Sequence, residues 1–376
     1  MYRIRTFVRG TGFFISKTIV VLDSILTLTK QFVSIKSTPD NKEALDEILE
    51  LALAELGGFS IERFERNNIK SALIYNTKTR PKKFKILLNG HLDIIPGKEE
   101  QYIPKVVGNR LYGVGSMDMK ANVVCLIAVF KEVASVVSYP LALQLVTDEE
   151  IGGFDGTKYQ VEKGVRADFV IAGEPTNFDI VHKAKGVLWM KIRAKGKTAH
   201  GAYPWRGENA IEKMKTFLDL LQKNFPNPSK EQWVTTVNVA NIETDNQAFN
   251  KIPDNCTVWL DVRHIPEERG DIIKKIKKIV PKGFAVEIVA NEAALLTDQK
   301  NVYLKALEAI TKKVTKKNVA IRGAQGSSDA RHFASVNCPG VEFGPIGKGI
   351  GSDMEWVDIP SLGSYYEIVK KFLLSL

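Results

Sequence analysis

Residues 84–93 have the sequence Phe-Lys-Ile-Leu-Leu-Asn-Gly-His-Leu-Asp, an apolar segment that ends in polar residues. Phe84 to Leu88 has the length and composition of a buried strand. His91 and Asp93 follow it, and side chains two positions apart on an extended chain point to the same side. The segment therefore predicts a buried strand that presents an imidazole and a carboxylate at its end.

The same arrangement recurs along the N-terminal part of the chain. Two further apolar strands, Leu141 to Val146 and Asp168 to Ala172, also end in polar residues, and a helical pattern from Ala121 to Ala134 precedes the first of them. Two more helical patterns run from Asp23 to Lys36 and from Ala44 to Leu56. Strands that alternate with helices predict an α/β domain, with a mainly parallel sheet and helices on both faces.

The pattern changes after residue 174. Between Val187 and Val289 it is strand, helix, strand, strand, helix, strand, which is the order of a ferredoxin-like α+β unit. Patterns typical of the first part resume from Asn301 and end in a helix from Ser361 to Leu374. A chain of 376 residues is expected to form two domains. We therefore expect residues 185–295 to be inserted into a discontinuous domain formed by residues 1–184 and 296–376.

The net charge is positive, with 53 Lys and Arg against 43 Asp and Glu. The excess is spread through short runs such as Lys274, Lys275, Lys277 and Lys278, which favours a solvated basic face over a nucleic-acid groove. No nucleic-acid partner is expected. A positive field would also attract carboxylate substrates.

The cysteines and the N-terminus bear on the compartment. Cys125, Cys256 and Cys338 match no zinc or disulfide spacing and are expected to be buried thiols in a reducing compartment. Residues 1–22 begin basic and turn apolar, but Lys17 interrupts the apolar run and no small-residue cleavage site follows. No segment is long and uncharged enough to span a bilayer. We expect a cytoplasmic protein, without a membrane partner, whose N-terminal extension has an unknown role.

Acidic residues occupy three further positions beside predicted elements. Asp118 lies in a glycine-containing loop before a helix, where its simplest role is that of an N-terminal helix carboxylate. Glu149 and Glu150 follow one strand and Glu174 ends another. The carboxyl ends of strands in open α/β sheets form a ligand crevice. One imidazole and several carboxylates suit zinc, with a bridging carboxylate if there are two ions, and Asp93 can orient the imidazole.

This set of residues resembles that of the co-catalytic di-zinc metallopeptidases and deacylases. These include acetylornithine deacetylase, succinyl-diaminopimelate desuccinylase, aminoacylase and the glutamate-releasing carboxypeptidases, and the resemblance covers nearly the whole chain from about residue 22. It implies one zinc bound by His91 and Glu174, a bridging carboxylate at Asp118, a ligand of a second zinc at Glu150 and a general base at Glu149. Cobalt or manganese remains an alternative to zinc.

The resemblance also assigns roles beyond the metal ligands. His200, in Thr-Ala-His-Gly, resembles the oxyanion-stabilising histidine that acts across a dimer interface, which implies a homodimer and a lid or dimerisation role for the inserted domain. Asn250 and Arg263 match positions that bind a substrate carboxylate or support it, although a cross-strand salt bridge is the alternative for Arg263. Ser327 and Ser328 match a loop that faces substrate, and the direction of the nearby Arg331 is left open.

The sequence departs from the family at one ligand. The histidine that completes the second zinc site falls at Gly351, and glycine has no side-chain ligand. Three explanations stay open: two metals with water or Asp353 filling the gap, a single metal, or an inactive variant. Intact Glu149 and His200 argue against the inactive variant.

The sequence thus predicts a metal-dependent hydrolase that cleaves an amide bond in an N-acyl amino acid or small peptide with a free carboxylate. Deacylase, desuccinylase and carboxypeptidase or dipeptidase activities all fit this description. The alternative is a catalytically impaired family member that acts as a binding or regulatory protein.

Overall fold

The computed structural model describes residues 12–376, with side chains from Val20 onwards, so half of the N-terminal extension lies outside the described residues. The chain forms two compact units. The first comprises the residues up to His182 together with Thr297–Arg322 and Ser328–Leu376, and the second comprises Lys183–Leu296 and Gly323–Ser327. From the sequence, residues 323–327 are expected in the first domain instead. They join the second unit because the Ser327 hydroxyl donates to the Lys185 carbonyl and Gln325 donates to the Gln232 carbonyl.

The elements are numbered in chain order through both units. The helices are α1 (Gly12–Ser34), α2 (Lys42–Ala54), α3 (Ala121–Val133), α4 (Thr157–Glu162), α5 (Ala210–Asn224), α6 (Ile272–Ile279), α7 (Val302–Thr315), α8 (Ala330–Ala334) and α9 (Ile359–Leu374). The strands are β1 (Ser60–Arg66), β2 (Ile69–Tyr75), β3 (Phe84–His91), β4 (Lys105–Val107), β5 (Arg110–Tyr112), β6 (Leu141–Val146), β7 (Ala167–Ala172), β8 (Ile180–Ala184), β9 (Gly186–Lys195), β10 (Thr236–Glu243), β11 (Asn255–His264), β12 (Ala285–Asn291), β13 (Leu295–Leu296), β14 (Ile321–Ala324), β15 (Gly340–Glu342), β16 (Gly347–Lys348) and β17 (Trp356–Asp358).

The main sheet, most of which belongs to the first unit, has the order β1-β2-β6-β3-β7-β15-β8-β13, and β14 pairs with β8. Its central strands β6, β3, β7 and β15 are parallel neighbours, which confirms a central mainly parallel sheet, while the β1–β2 hairpin at one side and β8 and β13 at the other pair antiparallel. Ile86 and Leu88 of β3 pack in one core cluster with α1, α3 and α9. Leu87 packs in another, with Val161 of α4 and Phe333 of α8. Helices therefore cover both faces, as predicted.

The second unit contains a four-stranded antiparallel sheet with the order β10-β11-β9-β12. Helices α5 and α6 pack on it through Met214, Phe217, Leu221, Ile272 and Ile276. The strand and helix order predicted from the sequence is present, with element boundaries that differ by one or two residues. The apolar stripe on one face of each helix accounts for this packing.

A small sheet of the first unit has the order β16-β17-β5-β4. The turn between β16 and β17 contains Gly351, so this sheet fixes where that residue lies. Cys125, Cys256 and Cys338 are buried free thiols, as expected. Within residues 12–376 we find no helix with the length and apolar character needed to cross a membrane.

Candidate metal centre

The site residues lie at one edge of the main sheet. His91 is the last residue of β3, Glu149 and Glu150 follow β6, and Glu174 follows β7. Because β3 is parallel to both β6 and β7 and lies between them, the carboxyl ends of these strands meet at the same edge. Asp118 reaches this edge from the loop before α3.

Three side chains converge closely enough to hold one ion. His91, Asp118 and Glu174 each offer one ligand atom, and these atoms lie within 4.8 Å of one another. The His91 Nε2 and Asp118 Oδ1 atoms are 3.1 Å apart. Oε1 of Glu174 is buried and has no hydrogen-bond partner among the described residues. A buried carboxylate oxygen without a partner is costly, so an imidazole and two carboxylates in this arrangement fit a divalent cation such as zinc.

The orientation of His91 is set by its other ring nitrogen. Nδ1 lies 2.9 Å from the main-chain oxygen of Asp93 and 3.6 Å from its Oδ1 atom. The main-chain carbonyl is therefore the closer acceptor, whereas the sequence analysis assigned this role to the Asp93 carboxylate. With Nδ1 donating to the carbonyl, Nε2 is the nitrogen left to bind a metal. Oδ2 of Asp93 accepts a hydrogen bond of 2.9 Å from the main-chain N–H of Glu150, which links β3 to the turn after β6.

Burial dominates the electrostatics of the site. It raises the pKa of Glu174 well above the ordinary value, and the negative charge of Asp118 acts in the same direction. Burial also raises the pKa of Glu149 well above its usual range and that of Glu150 to about 7, with the positive charge of His91 opposing both shifts. For His91, burial lowers the pKa, but the neighbouring carboxylates of Asp118 and Asp93 outweigh it and raise the pKa well above its ordinary value. A divalent cation would relieve this accumulation of buried negative charge.

Arg331 points inward, which the sequence left open. It is buried, and its Nη1 atom lies 3.8 Å from Oε1 of Glu149. Its guanidinium donates to the main-chain oxygens of Ser328 at 2.8 Å and Gly152 at 2.6 Å. Arg331 therefore ties the loop of Ser328 to the turn that carries Glu149. Ser328 itself is buried beside Glu342, a carboxylate that the sequence analysis did not single out and whose pKa burial raises to about 7.

The loop that carries Asp118 is held by two buried charged residues that the sequence analysis also missed. Nζ of Lys120 donates to the main-chain oxygens of Phe32 at 2.9 Å and Ile35 at 2.7 Å, at the end of α1. The Glu355 carboxylate accepts hydrogen bonds from main-chain N–H groups of the loop. Neither contact has a local sequence signal, because the partners are more than 80 residues apart along the chain.

The side of the site expected to hold a second metal is different. Glu150 lies outside the group of converging ligand atoms, and the main-chain N–H of Ile95 favours the charged form of its carboxyl group, which lowers its pKa against the effect of burial. Gly351 has a φ of +70° and adjoins a cavity of about 130 Å³ that Ile95 also lines. Asp353 is exposed and forms an ion pair with Lys98. The carboxylate of Asp353, which the sequence suggested as a replacement ligand, is therefore engaged by Lys98.

His200 and Asn250 lie together in the second unit. His200 pairs with Lys251 in a β-bridge, and the main-chain N–H of Gly201 donates to the Asn250 carbonyl at 2.7 Å. The exposed His200 ring accepts a hydrogen bond at Nδ1 from the main-chain N–H of Ala202, at 3.1 Å. This bond leaves Nε2 as the protonated nitrogen of a neutral ring.

Arg263 takes part in an ion pair within its own strand. Its Nε atom lies 2.9 Å from Oδ1 and 3.1 Å from Oδ2 of Asp261. Nε1 of Trp189 donates to the same Oδ1 atom at 3.0 Å. The salt bridge found therefore lies within one strand and is not the cross-strand pair considered from the sequence, and it uses one of the three guanidinium nitrogens.

Comparison of the sequence and the fold with known proteins identifies the family. The model of peptidase family M20/M25/M40 matches residues 87–375. A succinyl-diaminopimelate desuccinylase from Pelagibacter ubique is 27% identical over 380 residues, covering 92% of this chain and 98% of that protein. Two solved structures share the fold. The aminopeptidase PepT from Bacillus cereus has a TM-score of 0.74 at 18% identity and covers 94% of this chain and 98% of its own. A dinuclear metal-binding peptidase of family M20 from Bacillus subtilis has a TM-score of 0.68 at 13% identity, covering 95% and 98%. The family model matches more than half of the chain, and the chain therefore belongs to peptidase family M20/M25/M40.

Proposed function

We propose that this chain is a metal-dependent hydrolase that cleaves an amide bond in an N-acyl amino acid or small peptide with a free carboxylate. The convergence of His91, Asp118 and Glu174, whose charges interact with that of Glu149, carries the proposal. These three residues would hold one divalent cation, zinc in the first instance. When bound, such an ion lowers the pKa of water and polarises the amide carbonyl.

Glu149 moves the proton in this proposal. Its carboxylate is almost fully buried and its pKa is raised by that burial, a property typical of general bases. It accepts a proton from the attacking water and delivers it to the leaving amine. Arg331, 3.8 Å away, favours the charged form of Glu149 and keeps it oriented.

The second unit supplies substrate contacts and acts as a lid and dimerisation domain. Nε2–H of His200 donates to the oxyanion, and Asn250 with the two remaining nitrogens of Arg263 binds the substrate carboxylate. Ser327 and Ser328 border the same substrate. The relatives named above include a desuccinylase and an aminopeptidase, which supports substrates of this size and chemistry. We also propose that the protein is cytoplasmic and forms a homodimer. Light scattering of the purified protein tests the homodimer.

Gly351 favours a second candidate, a catalytically impaired family member that binds small carboxylates without turnover. A hydrolysis panel with added zinc or cobalt separates the two. It should contain N-acetyl amino acids, N-succinyl-diaminopimelate and dipeptides, with Glu149→Gln as the control for contaminating activity. Turnover that disappears in this variant supports the hydrolase. Zinc binding without turnover on any member supports the binding protein.

A further inference from the structure

We propose that Glu355 is a positioning residue of the metal centre, because its carboxylate fixes the main chain that carries Asp118. The inference rests on the metal centre proposed above. It assigns a role to the turn between β16 and β17, where the expected histidine ligand is replaced by Gly351.

The contacts of Glu355 are concentrated on one loop. Oε1 accepts hydrogen bonds from the main-chain N–H groups of Met117 at 2.8 Å and Asp118 at 3.1 Å. Oε2 accepts from the N–H of Gly115 at 3.1 Å, and the Glu355 main-chain oxygen accepts from Gly113 at 3.2 Å. Successive N–H groups that converge on one anion form a main-chain nest. Here the anion is a side chain of the protein itself.

This arrangement requires a carboxylate. Glu355 is 3% exposed, and a buried charge is costly unless hydrogen bonds satisfy it. Glutamine would keep one accepting oxygen. Depending on the orientation of the amide, its NH₂ group would face either the N–H of Gly115 or the N–H groups of Met117 and Asp118. Two donors would then face each other, so the loop would have to shift.

Glu355 completes a clamp on the Asp118 loop. On one side, Lys120 anchors the loop to the end of α1 through the Phe32 and Ile35 carbonyls. On the other side, Glu355 anchors it to β17, which begins at the next residue. Both Glu355 oxygens are engaged by the main chain, and Glu355 is not among the converging ligand atoms. The turn therefore acts on the metal centre through Glu355 and not through a ligand at position 351.

The test compares Glu355→Gln with Glu132→Gln. Glu132 also loses a charge in its variant, but its carboxylate contacts Lys370 and Tyr366 on α9. Zinc affinity is measured by competition with a chromogenic chelator, and the melting temperature is recorded with and without zinc. We expect Glu355→Gln to weaken zinc binding by about 10- to 100-fold and to reduce the zinc-induced rise in melting temperature. Glu132→Gln should leave both unchanged relative to the unaltered chain.

A role of Glu355 in folding alone would lower the melting temperature of the metal-free variant but leave the zinc affinity unchanged, and that result would overturn the inference. If Glu355→Gln does not fold, Glu355→Asp keeps the charge and shortens its reach. Weaker zinc binding by this variant supports the inference, and unchanged binding contradicts it. If the unaltered chain itself binds no zinc, the proposed function is wrong. Measuring the unaltered chain beside the variants separates this outcome from a failure of the Glu355 inference.

Discussion

The two sides of the metal centre differ in how their ligands are supplied. At one side, His91 ends β3, Glu174 follows the adjacent parallel strand β7, and both meet Asp118 with ligand atoms within 4.8 Å of one another. At the other side, Glu150 does not join the converging ligand atoms, and the resemblance described above places the expected histidine ligand at Gly351. Sheet geometry fixes His91 and Glu174, and the Glu355 carboxylate holds the loop of Asp118, whereas the second side lacks a side-chain ligand at position 351. We therefore propose that the first metal position binds its ion without help from the second.

Replacing His91 should have the largest effect. His91→Ala removes the only neutral nitrogen ligand of the first position and should abolish tight zinc binding and all activity. His200→Ala is the matched control, because His200 lies outside the converging ligand atoms. It should retain zinc, measured by elemental analysis, and lose about 10²- to 10³-fold in kcat. Zinc retained by His91→Ala would show that His91 is not a ligand of the first metal position.

Glu149 and its neighbour Glu150 provide the next test. Glu149→Gln should lower kcat by about 10²- to 10⁴-fold while zinc binding is retained, because a general base is lost and not a ligand. Glu150→Gln should have a much smaller effect on both, since its carboxylate does not converge on the first position. Steady-state kinetics and zinc titration of both variants check this. Equal losses in the two variants would show that both sides of the centre are needed.

A histidine at position 351 tests whether the absent ligand is what limits the second metal position. A Cβ at Gly351 would meet only Ile95 Cδ1, at 3.5 Å, so Gly351→His has space, but the φ of +70° makes a side chain there cost about 1 kcal/mol. Gly351→Ala is the control, with the same cost and no ligand. We expect Gly351→His to bind a second divalent ion by titration calorimetry, and Gly351→Ala to bind one. No gain in stoichiometry would show that the absent histidine is not what limits the second position.

The smallest expected effect is the pH dependence of the stability of the metal-free protein. Burial raises the pKa of Glu150 from 4.5 to about 7 and that of Asp148 from 3.8 to about 8. A raised pKa in the folded state means that the metal-free fold binds protons more tightly than the unfolded chain does. Its stability should therefore fall as the pH rises from about 4 to 8. Thermal unfolding of the metal-free protein checks this, and stability that rises with pH over this window would contradict it.

Much of the fold could be predicted because its signals are local. The strand Phe84 to Leu88 is apolar and ends in His91 and Asp93, and the second unit shows clear helical and strand periods. The β1–β2 hairpin was missed because its first strand, Ser-Ile-Glu-Arg-Phe-Glu-Arg, is dominated by charge. The supporting residues of the site could not be predicted either. Glu355 lies 237 residues from Asp118 in sequence, and only the fold shows which N–H groups it meets.

The metal content of the unaltered protein tests the central claim most directly. The chain should be purified without chelators, dialysed against metal-free buffer and analysed for zinc per chain. The account predicts one tightly held ion, bound by His91, Asp118 and Glu174. Two tightly held ions, or none, would contradict it.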